Sequence, residues 1–464
     1  MSPEEGHSEG SDGECCVLLD LSGTMSLAVD RLTEEKERTP CLNVENNSQD
    51  KMLSSKRRIL LDVLFVCWGL GTWLGVNGFF VQLPLLVERL PEGWKLPSSM
   101  SVAIQVANVG MLVYAALRKW IPRMTDAVFI YALLAIGTAA LFLNAFLYAE
   151  TVEVGGSQRS VAFLVLTFCV ALVGCTSSVL FYPYLRHFRE LYLATYLVGE
   201  GLSGFIPSIL ALIQGVGGEP VCVPSADNST MQAVYPAPLF SSTVFIVVLG
   251  FLSTLSLASF TVIHNYSGFS SERVRECEAD KEEEASMPAE ALLLRKWVGL
   301  MLLMAGLNAL FNGVMPSVQT YSCRPYGTHA YHLAVTLGAM ANPVACLAGV
   351  WLRPVRGRVL AAMLSAAGAL LVYILVTAAM SPAPPLHSTP FGVVLIVVCW
   401  VAASGLISYA RMWLYGWARR GGARGMRLCG AAGQAGSALG SLLLYVLVNH
   451  VHVFHEALPC PEPL

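Results

Sequence analysis

A chain of 464 residues that is 55% hydrophobic and only 13% charged falls well short of the roughly 25% charge of a soluble domain. Its net charge of −3, with no basic patch interleaved with aromatics, excludes a nucleic-acid partner from the reading. Apolar runs of roughly 20 residues recur without β alternation, which predicts an all-α polytopic membrane protein with the lipid bilayer as its solvent.

In chain order, residues 1–55 are polar and acidic and predict a disordered cytoplasmic tail. It is not a signal peptide, because it lacks a basic start and Val17-Leu18-Leu19 is too short for an apolar core. About eleven transmembrane helices follow, at roughly 59–80, 98–117, 127–148, 161–182, 192–213, 239–263, 297–318, 329–352, 359–380, 391–413 and 428–448. Residues 56–264 form a six-helix half, 265–296 a cytoplasmic linker with the run Glu282-Glu283-Glu284, 297–450 a five-helix half and 451–464 a short external tail. Lys56, Arg57 and Arg58 precede the first span, Arg118, Lys119 and Arg123 follow the second, and Arg353, Arg356 and Arg358 follow the eighth. That bias predicts a cytoplasmic N-terminus and, with an odd number of spans, an extracellular C-terminus. Asn228-Ser-Thr is then an external glycosylation site, while the sequons at Asn46 and Asn265 face the cytosol. Cys222, Cys323 and Cys460 are also external, where two of them can pair.

Polar groups inside the spans repeat in register. Asn77-Gly78 in the first span returns as Asn312-Gly313 in the seventh, 235 residues later. Asn108 finds Asn342, and Glu200 in Gly-Glu-Gly finds Gln434 in Gly-Gln-Ala, each 234 residues later. Three shared offsets on different segments predict two homologous halves, as in large transporter folds. A bilayer offers no water to a side-chain amide, so each must find a partner or face a cavity. Asn77, Gln82, Asn108, Asn312, Gln319 and Asn342 are therefore candidate substrate-binding residues lining a cleft between the halves, with Trp73 and Tyr321 as stacking aromatics. Glycines 69, 71, 75 and 78 with Pro84 loosen the first span, and Gly313 with Pro316 the seventh. Glu200 is a candidate proton site, a structural hydrogen-bonded acid or the partner of Arg411.

Catalytic, metal and nucleotide motifs are missing from the sequence, so the expectation is neither an enzyme nor a cofactor or metal binder, with no obligate protein partner evident. At Trp73-Leu-Gly-Val-Asn-Gly-Phe-Phe-Val-Gln-Leu-Pro84, Leu90-Pro-Glu-Gly-Trp94, Ile104-Gln-Val-Ala-Asn108, Cys175-Thr-Ser-Ser178, Gly199-Glu-Gly-Leu-Ser-Gly204, Asn308 to Cys323 and Ala330-Tyr-His-Leu-Ala334 the chain resembles the eukaryotic riboflavin transporter family, most closely its intestinal member. The resemblance covers about 59–450. It implies sodium-independent riboflavin uptake across the plasma membrane by an eleven-span carrier similar to the major facilitator and equilibrative nucleoside folds, with proton coupling left open. Two departures remove acids: Gln82 stands where the family has Glu, and Gly174 where close relatives have Asp. The competing readings are a carrier of another heteroaromatic solute such as a nucleoside, and a cell-surface receptor or scaffold.

Overall fold

In lipid every backbone polar group must be satisfied within its own segment, which leaves long apolar runs no stable alternative to the helix. The computed structural model describes residues 55–273 and 294–456, except 122–123, 186, 189, 217, 225–230, 352–356 and 420–421. The expectations for the N-terminal tail, most of the linker, Asn228 and Cys460 lie outside the described residues.

The N-terminal half contains α1 (Ser55–Leu70), α2 (Leu74–Val81), α3 (Leu96–Val106), α4 (Val109–Trp120), α5 (Asp126–Leu147), α6 (Val161–Leu185), α7 (Glu190–Gln214) and α8 (Ser242–Asn265). The C-terminal half contains α9 (Leu294–Asn308), α10 (Met315–Cys323), α11 (Thr328–Trp351), α12 (Gly357–Ala379), α13 (Pro390–Arg419) and α14 (Gly422–Val446). Among the described residues eight helical segments are long and apolar enough to cross a membrane, and nine if α1 and α2 are one bent span. Helices α6 and α11, of 25 and 24 residues, are the other two rods of spanning length. Leu112, Phe146, Leu302 and Leu439 are each about 70% exposed, which suits a lipid-facing surface and not a watery one.

The two halves share a plan. In each, the first helix packs on the fifth, α1 on α7 and α9 on α14, while the third packs on the fourth, α5 on α6 and α12 on α13. Between the halves α7 meets α11 and α3 meets α14. Helix α8, which has no counterpart, packs on α1 and α5.

The first helix of each half is irregular at a corresponding place. The first span is not one rod: α1 and α2 meet at 53°. Gly71 and Thr72 bond back to the carbonyls of Trp68 and Gly69, three residues behind, which tightens the turn and ends α1. Ser256 Oγ on α8 donates to the Trp68 carbonyl at 2.8 Å, replacing a bond the bend removes. The break falls here and not at Pro84, which instead opens the short turn Leu83–Leu86. In the other half, Ala309–Val314 forms a π-helical turn between α9 and α10, a common mark of a functional interruption.

Two hairpins were not legible as strands in so apolar a sequence: β1 (Val152–Val154) pairs with β2 (Ser157–Arg159), and β3 (Val221–Pro224) with β4 (Met231–Val234). Gly155 and Gly156, at φ +62° and +80°, supply the left-handed two-residue turn of the first. Both lie opposite the basic loops, so the two ends of the bundle are here called the hairpin end and the basic end. Cys222 in β3 is disulfide-bonded. Cys323 is a free, buried thiol, which removes the pairings that include it.

Candidate functional site

The duplicated amides meet the same partner in each half. Asn77, just past the break into α2, donates from Nδ2 to Ser203 Oγ on α7 at 3.4 Å. Asn312, inside the π turn, donates from Nδ2 to Ser437 Oγ on α14 at 2.9 Å. Ser203 and Ser437 stand 234 residues apart, the offset already carried by Glu200 and Gln434. Asn312 also reaches Asn308 Oδ1 at 3.3 Å. Asn77 therefore donates once and Asn312 twice within its own half, and each stays partly exposed, which leaves its carbonyl oxygen as an acceptor. The Asn77 pair sits at the seam between halves: Gly204, one residue beyond Ser203, approaches both the Asn77 amide and the Ala339 carbonyl of α11.

Other seam residues fall into place around these pairs. Asn108 caps the junction of α3 and α4, its Nδ2 bound to the carbonyl and side chain of Gln105, while its Oδ1 has no protein partner. Asn342 is exposed on α11, beside the helix-bending Pro343. Gln319 is nearly buried, at 9% exposure. Glu200 Oε2 accepts from Tyr182 Oη at 2.9 Å, and the carboxylate also bonds the Trp73 side chain. Trp73 rests on Gly174, where a Cβ would lie 2.7 Å from the indole ring. The glycine that departs from the family's acid is thus the seat of this aromatic.

Three expectations change. Gln82 does not face the seam: it is fully buried and donates to Gln214 Oε1 on α7, because the turn at residues 71–73 resets which face α2 presents. Tyr321 is no open platform. It is fully buried at the hairpin end, edge-on to Trp94 at 5.6 Å and tilted on Phe454 at 5.3 Å, and its hydroxyl has no partner. Arg411 does not pair with Glu200. Its guanidinium lies 4.9 Å above the Phe311 ring, bonds Tyr415 and keeps a buried, unpartnered Nε.

Sequence reasoning missed Ser203, Ser437 and Phe311, although the repeat offset marks the two serines. It also missed His332 on α11, buried with neither ring nitrogen bonded to protein. Buried polar atoms without protein partners are uncommon and ask for an explanation. Asn108 Oδ1, His332 and Arg411 Nε are such atoms. The assembled chemistry is amide, hydroxyl, imidazole and aromatic, with one carboxylate, Glu200, and one guanidinium, Arg411. It can recognise a planar, neutral, hydrogen-bonding solute and contains no nucleophile–base constellation among the described residues.

Comparisons with known proteins identify the family and the fold. A family model described as "Solute carrier family 52, riboflavin transporter" matches residues 57–291 and 268–456. Riboflavin transporter member 3-A of Danio rerio is 36% identical over 441 residues, covering 87% of this chain and 98% of its own length. The Homo sapiens member 3 is 37% identical over 466 residues, with 87% and 99% covered, and the Homo sapiens member 2 is 36% identical over 445, with 88% and 98%. Among solved structures, a D-xylose–proton symporter superposes with a TM-score of 0.53 at 13% identity, covering 85% of this chain and 93% of that one. That likeness establishes the fold alone. With a family model spanning most of the chain and relatives matched over nearly their whole length, this multi-pass membrane protein belongs to solute carrier family 52, the riboflavin transporters.

Proposed function

We propose that the chain carries riboflavin into the cell across the plasma membrane by alternating access, with the basic end in the cytosol and the hairpin end outside. The observation that carries this reading is the paired Asn77–Ser203 and Asn312–Ser437 contacts in a member of this family, because amides merely gluing helices together need no two-fold placement. Riboflavin presents a planar apolar face, a uracil-like edge and a ribityl chain of hydroxyls. The carbonyls of Asn77 and Asn312, Asn108 Oδ1 and the Asn342 amide suit the donors and acceptors of that edge and chain. Trp73 and Phe311 offer the faces on which the ring stacks. A neutral cargo requires no charged clamp, in keeping with a seam of amides.

The test is uptake by cells expressing the chain, with surface level measured beside it. Saturable riboflavin accumulation that unlabelled riboflavin suppresses and nucleosides do not is the expected result; suppression by nucleosides would assign another heteroaromatic cargo.

Glu200 takes a structural role in this account, because its two protein partners, Tyr182 and Trp73, are donors. A glutamine there turns an N–H toward one donor and strands it, at about 1–3 kcal/mol. Glu200→Gln is therefore expected to lower uptake severalfold at both external pH 5.5 and 7.5 and to keep the shape of the pH profile. A flattened profile would instead make Glu200 the proton-linked residue.

The orientation has its own check. Endoglycosidase treatment is expected to shift the mobility of the expressed protein, and Asn228→Gln to abolish that shift. A shift that survives in Asn228→Gln and vanishes in Asn265→Gln would invert the topology.

A further inference from the structure

At the hairpin end the halves are joined by a charge cluster built on a buried ion pair, with a third member, Glu219, half-exposed. Arg324, in the turn Arg324–Tyr326 after α10, donates from Nη2 to Glu88 Oε1 at 2.9 Å, across 236 residues of sequence. Their side chains are 9% and 8% exposed. Arg324 Nη1 lies 3.7 Å from Glu219 Oε2 and donates to Thr328 Oγ1 at 2.8 Å. Glu219 accepts from both the backbone N–H and the hydroxyl of Thr328. Tyr235 packs its ring 5.7 Å from the guanidinium, and its hydroxyl accepts from Nη2 at 3.3 Å.

Glu88, Glu219 and Tyr235 belong to the N-terminal half, while Arg324 and Thr328 belong to the C-terminal half. One cation is thus gripped by two carboxylates and a ring from across the seam. Nearby, Asn449 donates to Ser98 Oγ at 2.9 Å and Lys95 meets His452 at 3.3 Å, again between halves. Separating the halves here strands a desolvated guanidinium unless water replaces its partners, so the contact has two discrete settings, shut and hydrated.

We propose that this cluster is the gate that shuts the substrate seam at its outer end, and that Glu88 is the member through which external pH sets how often the gate opens. The proposal rests on the transport reading above, which supplies the need for an outer gate.

The sign follows from where the proton is held. Burial raises the Glu88 carboxyl from 4.5 to about 7, outweighing the opposing pull of Arg324; the like charge of Glu219 adds to the rise and Arg89, on the same segment, opposes it. The hydroxyls of Tyr235 and Tyr331 are the other titratable groups facing it. In the open gate Glu88 meets water and returns to the ordinary carboxylate range. The shut gate therefore binds this proton more tightly than the open one. Acid favours the shut gate, and raising pH through about 7 favours the open one. This is the reverse of the outcome expected if protonation simply broke an ion pair. Between pH 5.5 and 7.5 the open-to-shut ratio is expected to rise about twentyfold.

The experiment is a spin-label distance measurement on the full chain in nanodiscs, without substrate. One label is placed at Glu153→Cys in the first hairpin and one at Ser388→Cys in the loop before α13; both positions are exposed. A sample lacking these two cysteines subtracts background labelling. The long-distance population of the otherwise native protein is expected to grow about twentyfold relative to the short one from pH 5.5 to 7.5. Glu88→Gln, which mimics the protonated acid, is expected to keep the low-pH distribution at both values. Arg324→Ala is expected to favour the long distance at both. An unchanged melting temperature confirms that each variant is folded, and Glu88→Asp, which keeps the charge, retains the pH response. Identical distributions at the two pH values, or a Glu88→Gln variant that responds like the native protein, overturn the proposal. Because no substrate is present, the gate and the identity of the cargo succeed or fail separately.

Discussion

Asn312→Ala and Asn77→Ala are each expected to reduce riboflavin uptake at least about tenfold at unchanged surface level, since stranding a buried polar group of the ligand costs about 1–3 kcal/mol. The two variants should behave alike, because each removes an amide held by the equivalent serine of its half. A helix-gluing amide would give another pattern. Losing one such bond costs about 0.6 kcal/mol on average in a membrane, and it would appear in stability and not in substrate dependence. The measurement is initial uptake rate against riboflavin concentration for each variant, beside its thermal stability. Normal uptake in both variants would remove these residues from the site. Ser203→Ala and Ser437→Ala should have smaller effects, since the serines orient the amides and leave their carbonyls in place.

The second large effect is on folding. Helices α1 and α7 cross so closely that a Cβ on Gly199 would run into the Val66 carbonyl, and one on Gly69 into that of Tyr196. In the other half, a Cβ on Gly436 would meet the Ala305 carbonyl. Backbone cannot swing aside as a side chain can, so the helices must part. Overpacking of this kind costs about 1–3 kcal/mol or more. Gly199→Ala and Gly436→Ala are therefore expected to lower the melting temperature of the purified protein markedly and to cut its surface level. Gly299 is the control, with open space around its Cα, and Gly299→Ala should be neutral or slightly stabilising because alanine favours a helix. Equal melting temperatures for all three variants would contradict the packing described here.

These two predictions draw on different layers of what the sequence carries. The duplication was legible because polar residues in apolar spans are scarce, so the shared offset of Asn77 with Asn312 and of Glu200 with Gln434 stood out against background. The same offset extends to Ser203 and Ser437. Serine is tolerated throughout membrane helices, and on its own it carried no signal. Which way an amide faces was not legible. Gln82 follows a turn of 53° that shifts the helical phase, and its side chain ends against Gln214 and not at the seam. Tyr321 was misplaced for a related reason: aromatic residues near a helix end serve a packed cluster as readily as a ligand, and here Trp94 and Phe454 enclose the ring. The Glu88–Arg324 pair was invisible because only the closure of the halves brings together residues 236 positions apart. Read linearly, Arg324 is merely a stray cation on the sparsely basic side.

Most of the fold thus follows from length, hydropathy and the repeat. The site follows in part from the repeat, and the gate only from three-dimensional contact. The departures at Gln82 and Gly174 find physical roles in packing, with Gln214 and Trp73 respectively. Gln82 Oε1 nonetheless stays buried without a partner.

The most direct test of the central claim is riboflavin transport by the purified full chain in sealed liposomes, with lumenal flavin fluorescence followed over time. The account predicts saturable, time-dependent filling of the lumen that Asn77→Ala and Asn312→Ala both depress. Binding to the membrane without lumenal accumulation would contradict it and assign the chain to a receptor-like role.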